Sequence, residues 1–158
     1  MSHSKLCLGL LFAAASLARA APPLTSWERV DIAPTKTSIY IGSVRLSTQT
    51  FERNGSTLSS TYNARVFPWV PWNEHGKIII TLSDSALANM AKGETAEFTG
   101  EAVNHRNKPR KVTGRVQPTS ANTGKIKVRI LADGIELVFN STYQFAEVRE
   151  PDRTVKSQ

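Results

Sequence analysis

Apolar and polar positions alternate along most of this chain, and the alternation is clearest near its end. Between Gly124 and Phe145 (GKIKVRILADGIELVFNSTYQF), Ile126, Val128 and Ile130 alternate with Lys125, Lys127 and Arg129. That is the period of a strand with one buried face. Asp133-Gly134 then supplies the residue pair that a tight two-residue turn favours. Ile135, Leu137, Phe139, Tyr143 and Phe145 resume the alternation on the return strand. The pattern predicts a hairpin whose oily face other strands must cover, and whose outer face carries three cations in a row.

Similar segments precede it. From Thr37 to Gln49, Ile39 and Ile41 share one parity while Val44 and Leu46 take the other, which predicts a β-bulge at Gly42-Ser43. Asn54-Gly55 predicts a type I′ turn into a strand from Ser56 to Phe67, with Leu58, Tyr62, Ala64 and Val66 inward. The next stretch, Phe67-Pro68-Trp69-Val70-Pro71-Trp72, holds two prolines and so reads as an edge or a crossing segment. Lys77 to Leu82 is a short β-branched strand. Ser83 to Lys92 breaks the strand period and predicts a short helix, capped by Ser83 or Asp84, apolar along Leu87, Met90 and Ala91, and ended by Gly93. Two further strands follow around Ala96–Ala102 and Val112–Val116. About seven strands joined by short turns, with one helix, predict an all-β fold. It is either an antiparallel β-sandwich or a small β-barrel. The small inward residues Ala96, Gly100, Ala102 and Gly114 suit a tapering barrel, a cavity or close sheet packing equally.

Composition adds a compartment. Lys5, the apolar run Leu6–Leu17 and the Ala18-Arg19-Ala20 site have the form of a signal peptide over residues 1–20, cut before Ala21. A run of about a dozen apolar residues is short of the roughly twenty that span a bilayer, so the mature chain is expected to be exported and not membrane-spanning. The single cysteine, Cys7, lies inside that segment, so disulfides and thiolate chemistry leave with it. A disulfide-free exported domain points to a bacterial periplasm or medium. Residues 21–36, with three prolines, read as a tether on which Trp27 docks; 37–146 form one domain, and 147–158 a charged tail. Removing Lys5 and Arg19 leaves eighteen basic against thirteen acidic residues, a formal charge of +5. A basic exported protein meets an anionic cell envelope.

Catalytic chemistry is weakly represented. The mature chain has two histidines, His75 and His105, without paired metal-ligand spacing. No G-x-S-x-G elbow occurs. The reading is therefore no enzyme, no cofactor and no metal site. Two features could bind. If their strands pair, Lys111 and Arg115 join Lys125, Lys127 and Arg129 in a five-cation face, suited to phosphate head groups or acidic glycans, or simply a solvated face. Nucleic acid is excluded as a partner, since no aromatic residues interleave with the cations. Trp69 and Trp72 form either a platform for carbohydrate or lipid or a plug at one end of the core. The parity of Phe67 and Trp69 favours the plug.

Glu97-Phe98-Thr99-Gly100, Arg110-Lys111-Val112-Thr113-Gly114-Arg115-Val116 and Gly124-Lys125-Ile126-Lys127-Val128 resemble stretches of the YceI-like periplasmic polyisoprenoid-binding proteins. The resemblance covers about a third of the chain. The family's charged segment before its central strand is replaced here by Ser83–Lys92. The resemblance implies a lipocalin-like barrel holding a long apolar ligand. From the residues themselves, the first expectation is a non-catalytic domain that binds or scaffolds an anionic component of the envelope. The alternative is a carrier of an apolar small molecule.

Overall fold

The computed structural model describes residues 27–146. The expected signal peptide, cleavage site and charged tail lie outside the described residues. In chain order the elements are β1 (Arg29–Ile32), β2 (Thr35–Ile39), β3 (Gly42–Thr48), β4 (Phe51–Asn54), β5 (Thr57–Phe67), β6 (Glu74–Thr81), α1 (Asp84–Ala91), β7 (Ala96–Asn104), β8 (Pro109–Pro118), β9 (Thr123–Ala132) and β10 (Ile135–Ala146). Every pairing between strands is antiparallel. Because β5 pairs with β6 and β1 bridges β4 and β10, the sheet closes on itself. β1 with β2, and β3 with β4, are two kinked staves, so the result is an eight-stranded barrel. This decides the choice left open between sandwich and barrel.

The kinks explain two misplaced features. Ile39 pairs with Gly42, which leaves Tyr40-Ile41 as a two-residue hairpin turn. The parity swap expected from a bulge at Gly42-Ser43 is thus a change of strand. A two-residue turn exchanges parity just as a bulge does. The bulge itself lies further on. Thr48 pairs with Tyr62 but Glu52 with Ser59, so β3–β4 spends one extra residue around Gln49-Thr50. The neighbouring stave bends at Ala33-Pro34, and the Thr50 hydroxyl donates to Asp31 Oδ1 across the bends at 2.6 Å. The barrel therefore begins at Arg29, inside the segment expected to be a tether. Trp27 is buried and stacks on Phe145, with ring centroids 3.8 Å apart.

Turn chemistry follows the sequence with one refinement. Asp133 (φ 49°) and Gly134 (φ 85°) both take left-handed angles, as a type I′ turn requires. At the other hairpin Asn54 still pairs with Thr57, so the turn is Gly55-Ser56 and only Gly55 has positive φ. It is not the type I′ turn expected at Asn54-Gly55. α1 forms where predicted, with the Ser83 hydroxyl accepting from the Ala86 N–H at 3.2 Å. Its buried face is Ala86 and Met90 with Leu87 partly covered; Ala91 is exposed.

Up-and-down connection gives the barrel two distinct ends. The helix end carries α1, the 119–122 turn, Trp27 and the end of β10. The crown end carries the turns at 40–41, 68–73, 105–108 and 133–134. Between them one continuous core runs through Phe51, Leu58, Ile78, Phe98, Val112, Val128 and Phe139. Two small inward positions are filled by a cross-strand ring rather than left open. Phe98 pairs with Gly114 and lies against it, and Tyr143 does the same at Gly124. A Cβ at either glycine would meet that ring and a neighbouring strand's carbonyl. A bare glycine under an aromatic lets a barrel curve sharply without leaving a void.

Candidate functional site

The crown end is closed from inside by a polar cluster. Arg110, inward on β8 and 6% exposed, donates Nη1 and Nη2 to the two oxygens of Asp133 at 2.8 and 2.9 Å. It also donates Nε and Nη2 to Glu74 at 3.3 and 3.1 Å. Asn104 Nδ2 donates to Glu74 at 2.8 Å, and the Tyr62 hydroxyl donates to the same carboxylate at 3.3 Å. Burial works against the Glu74 charge, but hydrogen bonds from Arg110 and Asn104, with the guanidinium's field, hold its carboxyl below the usual range. Hydrogen bonding to Arg110 likewise lowers Asp133. Burial, then the Glu74 carboxylate, pushes the Tyr62 hydroxyl up. Such a saturated network holds a barrel end shut.

The five cations singled out in the sequence do share one face. β8 and β9 pair with Arg115 opposite Lys127 and Thr113 opposite Arg129, while Gln117 faces Lys125 and Lys111 faces Leu131. A groove of about 530 Å³ runs over this wall between Thr99, Thr113, Arg115, Lys127 and Arg129. Acidic residues are interleaved, however. β7 sets Glu97 opposite Arg115 and Glu101 opposite Lys111, and Glu136 on β10 is ion-paired with Arg129. Trp69 and Trp72 are not part of this wall. They sit at the crown, between β5 and β6, stacked on each other at 5.6 Å.

A second cationic surface emerges only from the register. Lys36 on β2 pairs with Arg45 on β3, and Arg45 pairs with Arg65 on β5. All three point outward and are exposed. Like charges directly opposite across strands repel, and among the described residues none of the three has an acidic partner within ion-pairing distance. The outward positions of β2, β3, β5 and β6 otherwise hold Ser, Thr, Asn, Phe67, His75, Lys77 and Ile79, without a single Asp or Glu. His75 stacks on His105 at 4.6 Å. A groove of about 410 Å³ crosses this sector beside Ser47, Thr61, Asn63, His75 and Lys77. Sequence reasoning missed the row because Lys36 fell in the supposed tether, and because the bulge at Gln49-Thr50 had to be placed before Arg45 could be set beside Arg65. The period of β5 alone puts Arg65 outward, opposite in parity to Ala64 and Val66, but says nothing of what lies beside it.

The aromatic segment is not a plug. Phe67 is 72%, Trp69 43% and Trp72 59% exposed, and Tyr40, Ile41 and Val70 are exposed beside them. Phe67 pairs with Ser43 at the mouth of the Tyr40-Ile41 turn, so the two loops adjoin. The strand parity that favoured a plug in fact points Phe67 outward, with Arg65 and Asn63. Among the described residues no helix is long and apolar enough to cross a membrane, and no group of three or more His, Cys, Asp or Glu is placed to hold a metal. Comparison with protein-family models, curated proteins and solved structures gives no match.

Proposed function

We propose that this barrel is a non-catalytic binding domain of the bacterial cell envelope that takes anionic surfaces on the β2-β3-β5-β6 sector. One observation carries the reading: the cross-strand row Lys36–Arg45–Arg65 on a face without acidic residues. Three adjacent cations cost repulsion in the free protein and gain when a polyanion neutralises them. The β8–β9 wall supports the same reading less strongly, since Glu97, Glu101 and Glu136 already offset its charge. A carrier role draws less support, because the core is continuous and a long apolar ligand would have to displace Phe51, Phe98 or Phe139. The resemblance to the YceI-like proteins bears on that carrier role and lends nothing to the cationic sector.

Retention of the mature protein on an immobilised anionic polymer tests the proposal. Retention is expected to weaken with salt. Lys36→Glu, Arg45→Glu and Arg65→Glu together should abolish it, while charge reversal at Lys125, Lys127 and Arg129 should only reduce it. Retention untouched by the first triple variant would sink the assignment.

A further inference from the structure

The cationic row adjoins the exposed aromatic crown, and the two together have a geometry that neither has alone. On β5 the outward positions ascend Asn63, Arg65, Phe67 towards the crown. Two residues of strand advance about 7 Å. Beyond Phe67 come Trp69, Val70 and Trp72, with Tyr40 and Ile41 on the adjoining turn. These side chains are held outward by the backbone. Asn73 Oδ1 accepts from the Val66 N–H at 2.7 Å, the Asn73 N–H donates to the Val70 carbonyl at 3.0 Å, and Arg106 Nη2 donates to the Pro71 carbonyl at 3.3 Å. The loop is therefore braced in its exposed form, which lowers the ordering cost of an encounter.

We infer that the crown end docks on an anionic phospholipid bilayer, with Phe67, Trp69 and Trp72 entering the interface and Lys36, Arg45 and Arg65 resting on the phosphates. This rests on the envelope-binding reading above and names its partner. Arg65 and Phe67 are about 7 Å apart along β5, and the tilt of barrel strands brings that step to roughly 5–6 Å towards the crown, the order of the depth at which apolar groups settle below the head groups. Trp and Tyr favour that boundary because their rings are apolar and their polar tips remain wet. Ile41 and Val70 gain from acyl chains but little from a neutral glycan, which would call for hydrogen-bonding groups around the rings. A second copy is disfavoured by charge. In a two-fold pair the same patch meets itself, which would bring three cations against three with no carboxylate between them. Among the described residues the two chain ends, Trp27 and the end of β10, both lie at the opposite end of the barrel from the crown.

Tryptophan emission reports the docking directly, because Trp69 and Trp72 are exposed while Trp27 is buried and serves as an internal reference. The mature protein is mixed with phosphatidylglycerol–phosphatidylcholine vesicles, with pure phosphatidylcholine vesicles as a control. A blue shift, quenching by brominated acyl chains and co-flotation are expected with the anionic vesicles. Partitioning should fall roughly fivefold for each of Lys36, Arg45 and Arg65 replaced by Gln. Trp69→Ala with Trp72→Ala should abolish flotation while leaving retention on the anionic polymer. Retention on the polymer with no vesicle binding would overturn the bilayer assignment and leave the envelope reading standing; loss of both would overturn the two together. Binding without quenching, or a dimer in sedimentation that dissociates on Trp72→Ala, would also overturn it.

Discussion

Arg110 places a nearly buried guanidinium between a half-buried and an exposed carboxylate, and the two partners differ in worth. Asp133 is 65% exposed along its side chain, so water screens that pair and it adds little. Glu74 is 19% exposed and also takes Asn104 and Tyr62. Glu74→Gln removes a charged acceptor from Arg110 and should cost about 2–3 kcal/mol. The pH dependence has a definite sign. Glu74 ionises more readily folded than unfolded, so its stabilisation is complete above its unfolded value of about 4.3 and is lost as pH falls through the folded one. Denaturant unfolding at a series of pH values should therefore show wild type losing more stability on acidification than Glu74→Gln. Parallel pH curves for the two proteins would show that the carboxylate contributes no such linkage.

At the scale of elements, the parts legible in the sequence are those whose signal is local. Asp133-Gly134 announced its turn because both residues tolerate left-handed angles, and Ser83–Gly93 announced α1 through its cap and its terminating glycine. The Ser83 cap is open to test. Ser83→Ala removes the acceptor for the Ala86 N–H and should lower stability by about 1 kcal/mol, seen as a lower midpoint in thermal unfolding at an unchanged denaturant slope. A change within error would show that packing of Ala86 and Met90 alone holds the helix. What stayed hidden depends on long-range register. Nothing near Arg29–Ile32 marks it as a barrel stave, since its partners are Tyr143–Ala146 and Phe51-Glu52. The five-cation wall was legible because Lys111–Arg115 and Lys125–Arg129 belong to one hairpin. The Lys36–Arg45–Arg65 row spans two hairpins and a bulge, so no local window contains it. The aromatic segment was visible as a feature, and its exposure was legible too: with Leu58, Tyr62, Ala64 and Val66 inward, the period of two puts Phe67 on the outer face.

The whole barrel closes unevenly, and its weakest line follows from the two bends. β1 pairs with β10 in a regular ladder through Ile32 and Tyr143. Past the Ala33-Pro34 bend, β2 shares no ladder with β10. The Thr35 hydroxyl donates to the Asn140 carbonyl at 2.7 Å and the Ser141 hydroxyl to the Ala33 carbonyl at 2.6 Å, so side chains stand in for part of the missing ladder. Pro34 has no N–H to offer at the bend. The far side of the molecule has the opposite character, with β7, β8 and β9 paired on both flanks along nearly their whole length. Local opening follows such differences in hydrogen-bonded support. Hydrogen exchange should therefore be faster in β2, at Lys36 to Ile39, than in β8, at Lys111 to Val116, under native conditions. Replacing Thr35 with Val removes the hydroxyl bridge and should speed exchange in β2 while leaving β8 unchanged. Uniform protection across the two strands would mean that the seam is as tightly closed as the rest of the wall. The seam borders the cationic sector, since β2 carries Lys36, so the strand expected to open more readily than β8 is also one that meets the proposed anionic surface. Binding there would engage β2 from outside, and exchange at Lys36 to Ile39 should slow on anionic vesicles before any other part of the barrel responds.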